Sequence, residues 1–208
     1  FFQRLSELFA PDLRKRTVMI FIAFFFFGGA YAGTAFFFPT YFHEFRGYPI
    51  ETATAIVGIS YGVGVLGYIA VAFVGEFILT RRNTCVLWAL LGSVATLGLL
   101  WLPETKLEDM IWFGIMAAFF YGNAAALSTL MVEVFPTRVR ATAAGFAGSF
   151  ALNMGHATFP ILVTMGIETI GWQWAFTLAV VPSMVIVALA IFSLDNVRSG
   201  LELEDIVQ

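Results

Sequence analysis

The sequence predicts an all-α integral membrane protein with six transmembrane helices, and three observations carry that prediction. Apolar residues make up 60% of the chain and charged residues 12%, with mean hydropathy +0.86, whereas soluble domains carry about 25% charge. Six apolar runs of 19–26 residues, none with Lys or Arg in its interior, follow one another, and roughly 20 helical residues cross a bilayer core. The basic residues also alternate. Arg4, Arg14, Lys15, Arg16, Arg81, Arg82, Arg138, Arg140 and Arg198 fall on one side of six alternating spans, and only Arg46 and Lys106 fall on the other. The positive-inside rule places the rich side, and both chain ends, in the cytoplasm.

The expected spans are Thr17–Phe42, Ile50–Val74, Thr84–Leu102, Met110–Val132, Ala141–Met165 and Trp172–Leu194. Residues 1–16 read as a cytoplasmic lead-in, 17–194 as the six-helix domain and 195–208 as a cytoplasmic tail. In the lead-in, Leu5, Leu8 and Phe9 suit the membrane surface beside a basic cluster, or a solvated linker. The chain opens Phe-Phe without Met, which suits a piece of a longer protein. A first run this long, with five more behind it, is not a secretory signal. Cys85 is the only cysteine, so no internal disulfide is available and it reads as a small apolar residue.

The first span passes from FIAFFFF into GGAYAGTAFFFP. Gly28, Gly29 and Gly33 permit close helix contact, and Pro39 permits a kink near its outer end. Tyr31 and Thr34 put hydroxyls at mid-depth, which need another helix or an aqueous cavity. The second span has Gly58 and Gly62 at a small four-residue spacing, then Gly64 and Gly67, with Ser60 and Tyr61 as polar residues; it reads as a packing helix. The third is bulky and aliphatic between Trp88 and Trp101 and reads as lipid-facing. So does the sixth, anchored by Trp172 and Trp174. The fourth carries Tyr121, Asn123, Ser128 and Thr129, and the amide of Asn123 must be satisfied inside a bundle. In the fifth, Gly145, Ser149 and Asn153 share a face, with His156 near mid-membrane. His156 reads as a neutral ring bonded to another helix, with titration as the alternative. Spans one to three and four to six have nearly equal length. They therefore suggest two three-helix repeats inverted in the membrane.

Two inner turns share a character. GEFILTRR places Glu76 before Arg81 and Arg82, and EVFPTRVRA places Glu133 before Arg138 and Arg140. A carboxylate at a helix end near guanidiniums can form paired bonds, and a pair buried in only one conformation biases a two-state equilibrium. Pro136 stops the fourth helix and Thr137 is placed to cap the next turn.

These motifs resemble the major facilitator superfamily. GEFILTRR is similar to its inner loop G-x-x-x-D-R-x-G-R-R, with Gly75, Arg81 and Arg82 in place, Glu76 as the acid and the glycine before the arginines missing. EVFPTRVRA is the more specific match, to E-x-[FY]-P-T-x-x-R-[AG], through Glu133, Pro136, Thr137 and Arg140. GWQWAF resembles G-W-R-W-x-F with Gln173 for arginine, and SGLELEDI resembles the glycine-then-acidic tail, here Gly200 and Glu202–Ile206. The closest character is the sugar-porter and aromatic or organic acid symporter branch.

The resemblance implies the C-terminal six-helix half of a twelve-helix transporter, with the N-terminal half before residue 1 and the lead-in ending the central loop. It implies alternating-access transport of a small organic solute, an aromatic or organic acid or a sugar, with proton coupling plausible and its acid expected in the other half. Tyr31, Thr34, Tyr121 and Asn123 become candidate path residues, with Asn153 and His156 secondary. Glu76, Arg81, Arg82, Glu133, Pro136 and Arg140 become candidates for the cytoplasmic gate and conformational coupling. The expected partners are substrate, protons, the bilayer of the cell membrane (the inner membrane in a prokaryote) and the N-terminal half. No cofactor, metal, nucleic acid or enzymatic activity is expected. An intramembrane hydrolase using Ser128 and His156 fails on reach, and a channel or non-transporting protein lacks a ring of charge or a carbonyl filter.

Overall fold

The computed structural model describes residues 2–196, so Arg198, Gly200 and the acidic tail lie outside the described residues. A short helix, Phe2–Glu7, precedes six long ones: Arg14–Phe45, Ile50–Phe77, Arg81–Trp101, Lys106–Val134, Thr137–Ile170 and Trp172–Phe192. Each is long and apolar enough to cross a membrane. The end holding the lead-in and the turns at 78–80 and 135–136 is termed the basic end, and the opposite one the far end.

The helices outrun the apolar stretches that predict them, because helical geometry continues wherever caps and polar side chains can carry it into the interface. The third span starts at Arg81, where Thr80 accepts from the Asn83 N–H at 3.4 Å. The fourth starts at Lys106, behind a capping box of Thr105 and Glu108. Thr137 does not cap. It is the first helical residue, and the extended Pro136 takes the N-cap position without a side-chain bond.

Packing follows a three-plus-three pattern. The first span packs on the fifth and sixth, the fourth on the second and third, and the third on the sixth. Exchanging the two triplets maps the first four of these contacts onto one another and the third–sixth contact onto itself, as expected of two repeats. Glycines set the closest approaches. A Cβ at Gly155 would overlap the Phe25 carbonyl, one at Gly28 the Leu152 backbone, and one at Gly29 the Phe159 ring. The first and fifth spans therefore meet backbone to backbone, as the small residues of the first predict.

Three expectations need correction. Gly58 and Gly62 face open space, and it is Gly64 and Gly67 that seat the second span on Ala117 and Ala118. The third and sixth spans are not the lipid-facing ones within this half: 61% of each apolar window is buried, against 33% for the second and 22% for the fifth. Trp88, 5% exposed, packs on Phe119. Hydropathy cannot separate a core-facing from a lipid-facing helix, because both surroundings are apolar. The lead-in also docks on the bundle, with Leu8 fully buried and its carbonyl accepting from Thr17 Oγ1 at 2.7 Å. Phe9 remains 46% exposed and meets the Phe146 ring edge-on.

Three spans contain π-helical turns, at Tyr41–Phe45, Ala117–Tyr121 and Ala144–Phe150. Each adds a residue to a turn and rotates the side chains beyond it. The central one ends on Tyr121, which sets up the site described next.

Candidate functional site

At mid-depth the first, second, fourth and fifth spans converge through aromatic rings. Tyr31 lies edge-on to Tyr121 with centroids 5.1 Å apart, Tyr61 meets Tyr121 at 5.3 Å, and the His156 ring sits 6.0 Å from Tyr31. Tyr121 is buried, and its hydroxyl lies near that of Tyr61 without a hydrogen bond of good geometry among the described residues. His156 is half-buried and makes no hydrogen bond to another helix among the described residues, contrary to the bonded role expected for it. Asn153, one turn nearer the basic end, is exposed and donates to Ser149 O at 2.8 Å. Tyr31, Tyr61, Tyr121 and His156 are therefore brought to one region, and Asn153 stands a turn away on the fifth span with its amide bonded to its own helix. Ser128 and His156 share no hydrogen bond among the described residues, so no nucleophile–base pair forms there.

Two expected path residues are not presented to it. Thr34 is fully buried and its hydroxyl donates to Ala30 O at 2.8 Å, closing on its own helix. Asn123, two residues beyond Tyr121 and so on a different side of the fourth helix, is fully buried against the Cys85 thiol of the third span. A thiol is a weak partner, and neither side-chain atom of Asn123 meets a hydrogen-bond partner of good geometry.

Tyr61, read from sequence as part of a packing helix, joins the cluster for a legible reason. Pro39 has no N–H, so the carbonyl four residues before it, on Ala35, lacks a helical donor. Tyr61 Oη donates to that carbonyl at 3.3 Å. The pairing of a proline in one span with a tyrosine in the next is the signal that could have found it.

At the basic end the charges pair across turns. Arg81 Nη2 lies 2.6 Å from Glu76, and its Nη1 donates to Glu133 at the end of the fourth span. The two carboxylates singled out in separate turns thus share one guanidinium. Arg82 donates to Leu194 O at 2.8 Å and lies over the Phe192 ring, which closes the end of the sixth span. Among the described residues Arg140 meets no carboxylate: its Nε donates to Phe135 O at 3.2 Å beside the buried Pro136, and its buried Nη2 has no partner. Arg16, read only as part of a basic cluster, donates to Val134 O at 3.1 Å and ties the first span to the end of the fourth. A cavity of about 210 Å³ between the second, third and fourth spans opens beside this network, with Glu76, Arg81, Thr84 and Thr129 among its lining.

A second charge cluster, at the far end, is absent from the sequence reading. Asp109, 1% exposed, lies 3.2 Å from Arg46 and accepts from Tyr48 Oη at 2.7 Å. Burial, the bond to Asp109 and that carboxylate's charge push the Tyr48 phenol up to about 12, so it remains a donor at neutral pH. Asp109 follows a capping box and looks like one more acidic residue of a helix start. Only the tertiary fold reveals its partners. Among the described residues, no group of His, Cys, Asp and Glu side chains is arranged to hold a metal ion.

No curated protein matches this sequence. A solved structure of the proton:xylose symporter XylE, bound to 6-bromo-6-deoxy-D-glucose, is similar in fold, with TM-score 0.64 at 17% sequence identity. The similarity covers 88% of this chain and 44% of that one, so the chain spans less than half the length of that protein. The sequence profile of the Major Facilitator Superfamily matches residues 3–160. With six spans in two packed triplets and the paired turns around Arg81 and Glu133, the chain belongs to the Major Facilitator Superfamily.

Proposed function

We propose that this chain is the C-terminal half of a secondary transporter that moves a small organic solute by alternating access. The observation that carries the reading is the bond from Arg81 to Glu76 and Glu133. Arg81 starts the third span and Glu133 ends the fourth, which packs on it, so the pair fixes how the basic-end tips of these helices lie against one another and would be released when they tilt apart. Such a pair is partly buried here and would be hydrated on opening, which makes it a bias on a two-state equilibrium and not a simple staple.

The solute belongs in the region bounded by Tyr31, Tyr121, Asn153 and His156. Rings with hydroxyl, amide and imidazole groups and no fixed charge suit a sugar, by stacking and hydrogen bonding, or the ring of an aromatic acid. The likeness in fold to a proton:xylose symporter favours a proton-coupled sugar first. The N-terminal six-span half would cover the exposed faces of the second and fifth spans, including Gly58, Gly62, Gly145 and Asn153. The basic end faces the cytoplasm of a cell whose plasma membrane carries the protein. The family, and Ser128 and His156 sharing no hydrogen bond among the described residues, favour transport over the hydrolase reading.

The test is uptake by the full-length protein in proteoliposomes. A panel including xylose, other sugars and aromatic and aliphatic acids is offered with and without an imposed pH gradient. Accumulation of one class, driven by the gradient, is the expected result. Absence of uptake and of exchange for every solute, by protein that is folded and inserted, would overturn the reading.

A further inference from the structure

The far end of the first span is a separate structural piece. Its helix breaks at Phe36–Phe37 and resumes as Phe38–Thr40, followed by the π-helical turn Tyr41–Phe45. The break has a chemical cause in Pro39, which leaves the Ala35 carbonyl to Tyr61. Beyond the break the segment leans on the fourth span, with Phe38 4.6 Å from Phe113. Phe113 in turn lies 5.8 Å from Tyr61, and Tyr61 5.3 Å from Tyr121. A continuous row of rings therefore runs from this segment to the central cluster.

What holds the segment's other end is Arg46. Its guanidinium donates to Pro103 O at 3.0 Å and Leu99 O at 3.4 Å, lies 3.2 Å from Asp109 and sits over the Tyr41 and Phe45 rings. One side chain thus grips the third span, the turn after it and the start of the fourth. The ion pair is also incompletely made. Asp109 Oδ1 meets Arg46 only through Nη2, at 3.2 Å and without good hydrogen-bond geometry, and the buried Arg46 Nε and Tyr41 hydroxyl beside it also lack a partner of good geometry among the described residues. Buried polar atoms held this loosely around one ion pair point to a nearby arrangement in which they bond well, since each poorly paired buried group is costly. A small shift of the segment about the Phe36–Phe37 break is the motion available to bring them together.

We propose that Arg46 and Asp109 are positioning residues that set where the far-end segment of the first span sits on the central tyrosine cluster. The proposal rests on the transport reading for its consequence, but its geometry does not. Removing either charge frees the segment, lifts Phe38 from Phe113 and loosens the Tyr61–Tyr121 contact without touching a residue of the cluster.

The experiment uses the full-length protein in proteoliposomes with Thr40→Cys as a reporter on the segment. A membrane-impermeant maleimide is applied at the face opposite the chain termini. The buried native Cys85 reports general loosening, which a merely structural role would produce. A hydrogen bond to a charged group is worth enough to shift an equilibrium about tenfold. Asp109→Asn and Arg46→Gln should therefore each raise labelling at Thr40→Cys roughly tenfold, with Cys85 still protected. The double variant should do no more than either single one, and Asp109→Glu should restore most of the protection. Tyr48→Phe, which keeps both charges together, is the milder probe and should give a smaller rise. Unchanged labelling in all these variants, or Cys85 opening in step with Thr40→Cys, would overturn the proposal. The reporter reads segment position whether or not any solute is transported, so its failure is distinct from failure of the uptake test.

Discussion

Arg81 and Glu133, 52 positions apart, are joined by a direct hydrogen bond between the first residue of the third span and the last turn of the fourth. The same guanidinium holds Glu76 at 2.6 Å. Glu133→Gln keeps the shape and removes the charge. The loss, about 1–2 kcal/mol for a half-buried charged bond, should move the conformational equilibrium toward an open basic end by roughly tenfold. Faster labelling of a cysteine at Thr129 from the basic-end side, with slower net uptake, is the expected pair of changes. An unaltered uptake rate would remove the bond from the transport cycle.

The contact of the first and fifth spans makes a sharp pair of predictions. A side chain at Gly155 meets the Phe25 carbonyl, whereas one at Gly145 meets nothing within 4 Å. Gly155→Ala should lower stability by about 2–3 kcal/mol through forced separation of the helices. Gly145→Ala should be neutral or stabilising by about 0.5–1 kcal/mol from helix propensity. Thermal unfolding in detergent would compare them, and equal melting temperatures would show that the backbones do not touch there.

The bond from Tyr61 to Ala35 exists because Pro39 supplies no N–H. Tyr61→Phe should cost about 1 kcal/mol by leaving that carbonyl unpaired. Adding Pro39→Ala returns a backbone donor and should recover most of the loss. If the second substitution gives no recovery, Tyr61 stabilises by packing alone.

Asn123 carries two buried polar atoms without good partners. Asn123→Leu should raise the melting temperature, since an apolar side chain of similar size removes a desolvation penalty of about 1–3 kcal/mol. Solute affinity should be unchanged, because the amide faces the third span and not the tyrosine cluster. A loss of affinity in the folded variant would return Asn123 to the solute path.

Much of this was readable from local features. The basic-end residues Glu76, Arg81, Glu133 and Pro136 stood out because charge and proline are scarce in such a chain, and Tyr31, Tyr121 and His156 because polar groups at mid-depth are costly. Partner choice was not readable. Arg138 and Arg140 are the guanidiniums nearest Glu133 in sequence, yet the fold gives that carboxylate to Arg81 and leaves Arg140 on a backbone carbonyl. Asp109 and Arg46, 63 residues apart, had no local mark at all.

By itself the sequence determined the number of helices, their alternation across the membrane and the family. Those follow from run length, charge placement and short motifs, which are local quantities set by the thickness and dielectric of a bilayer. The tertiary structure decided which apolar faces are core, which glycines touch a neighbour, and which of two polar residues two positions apart, Tyr121 and Asn123, belongs to the central cluster. Lipid and protein interior are equally apolar to a side chain, so composition cannot choose between them. Only the packing of one helix surface on another makes that choice.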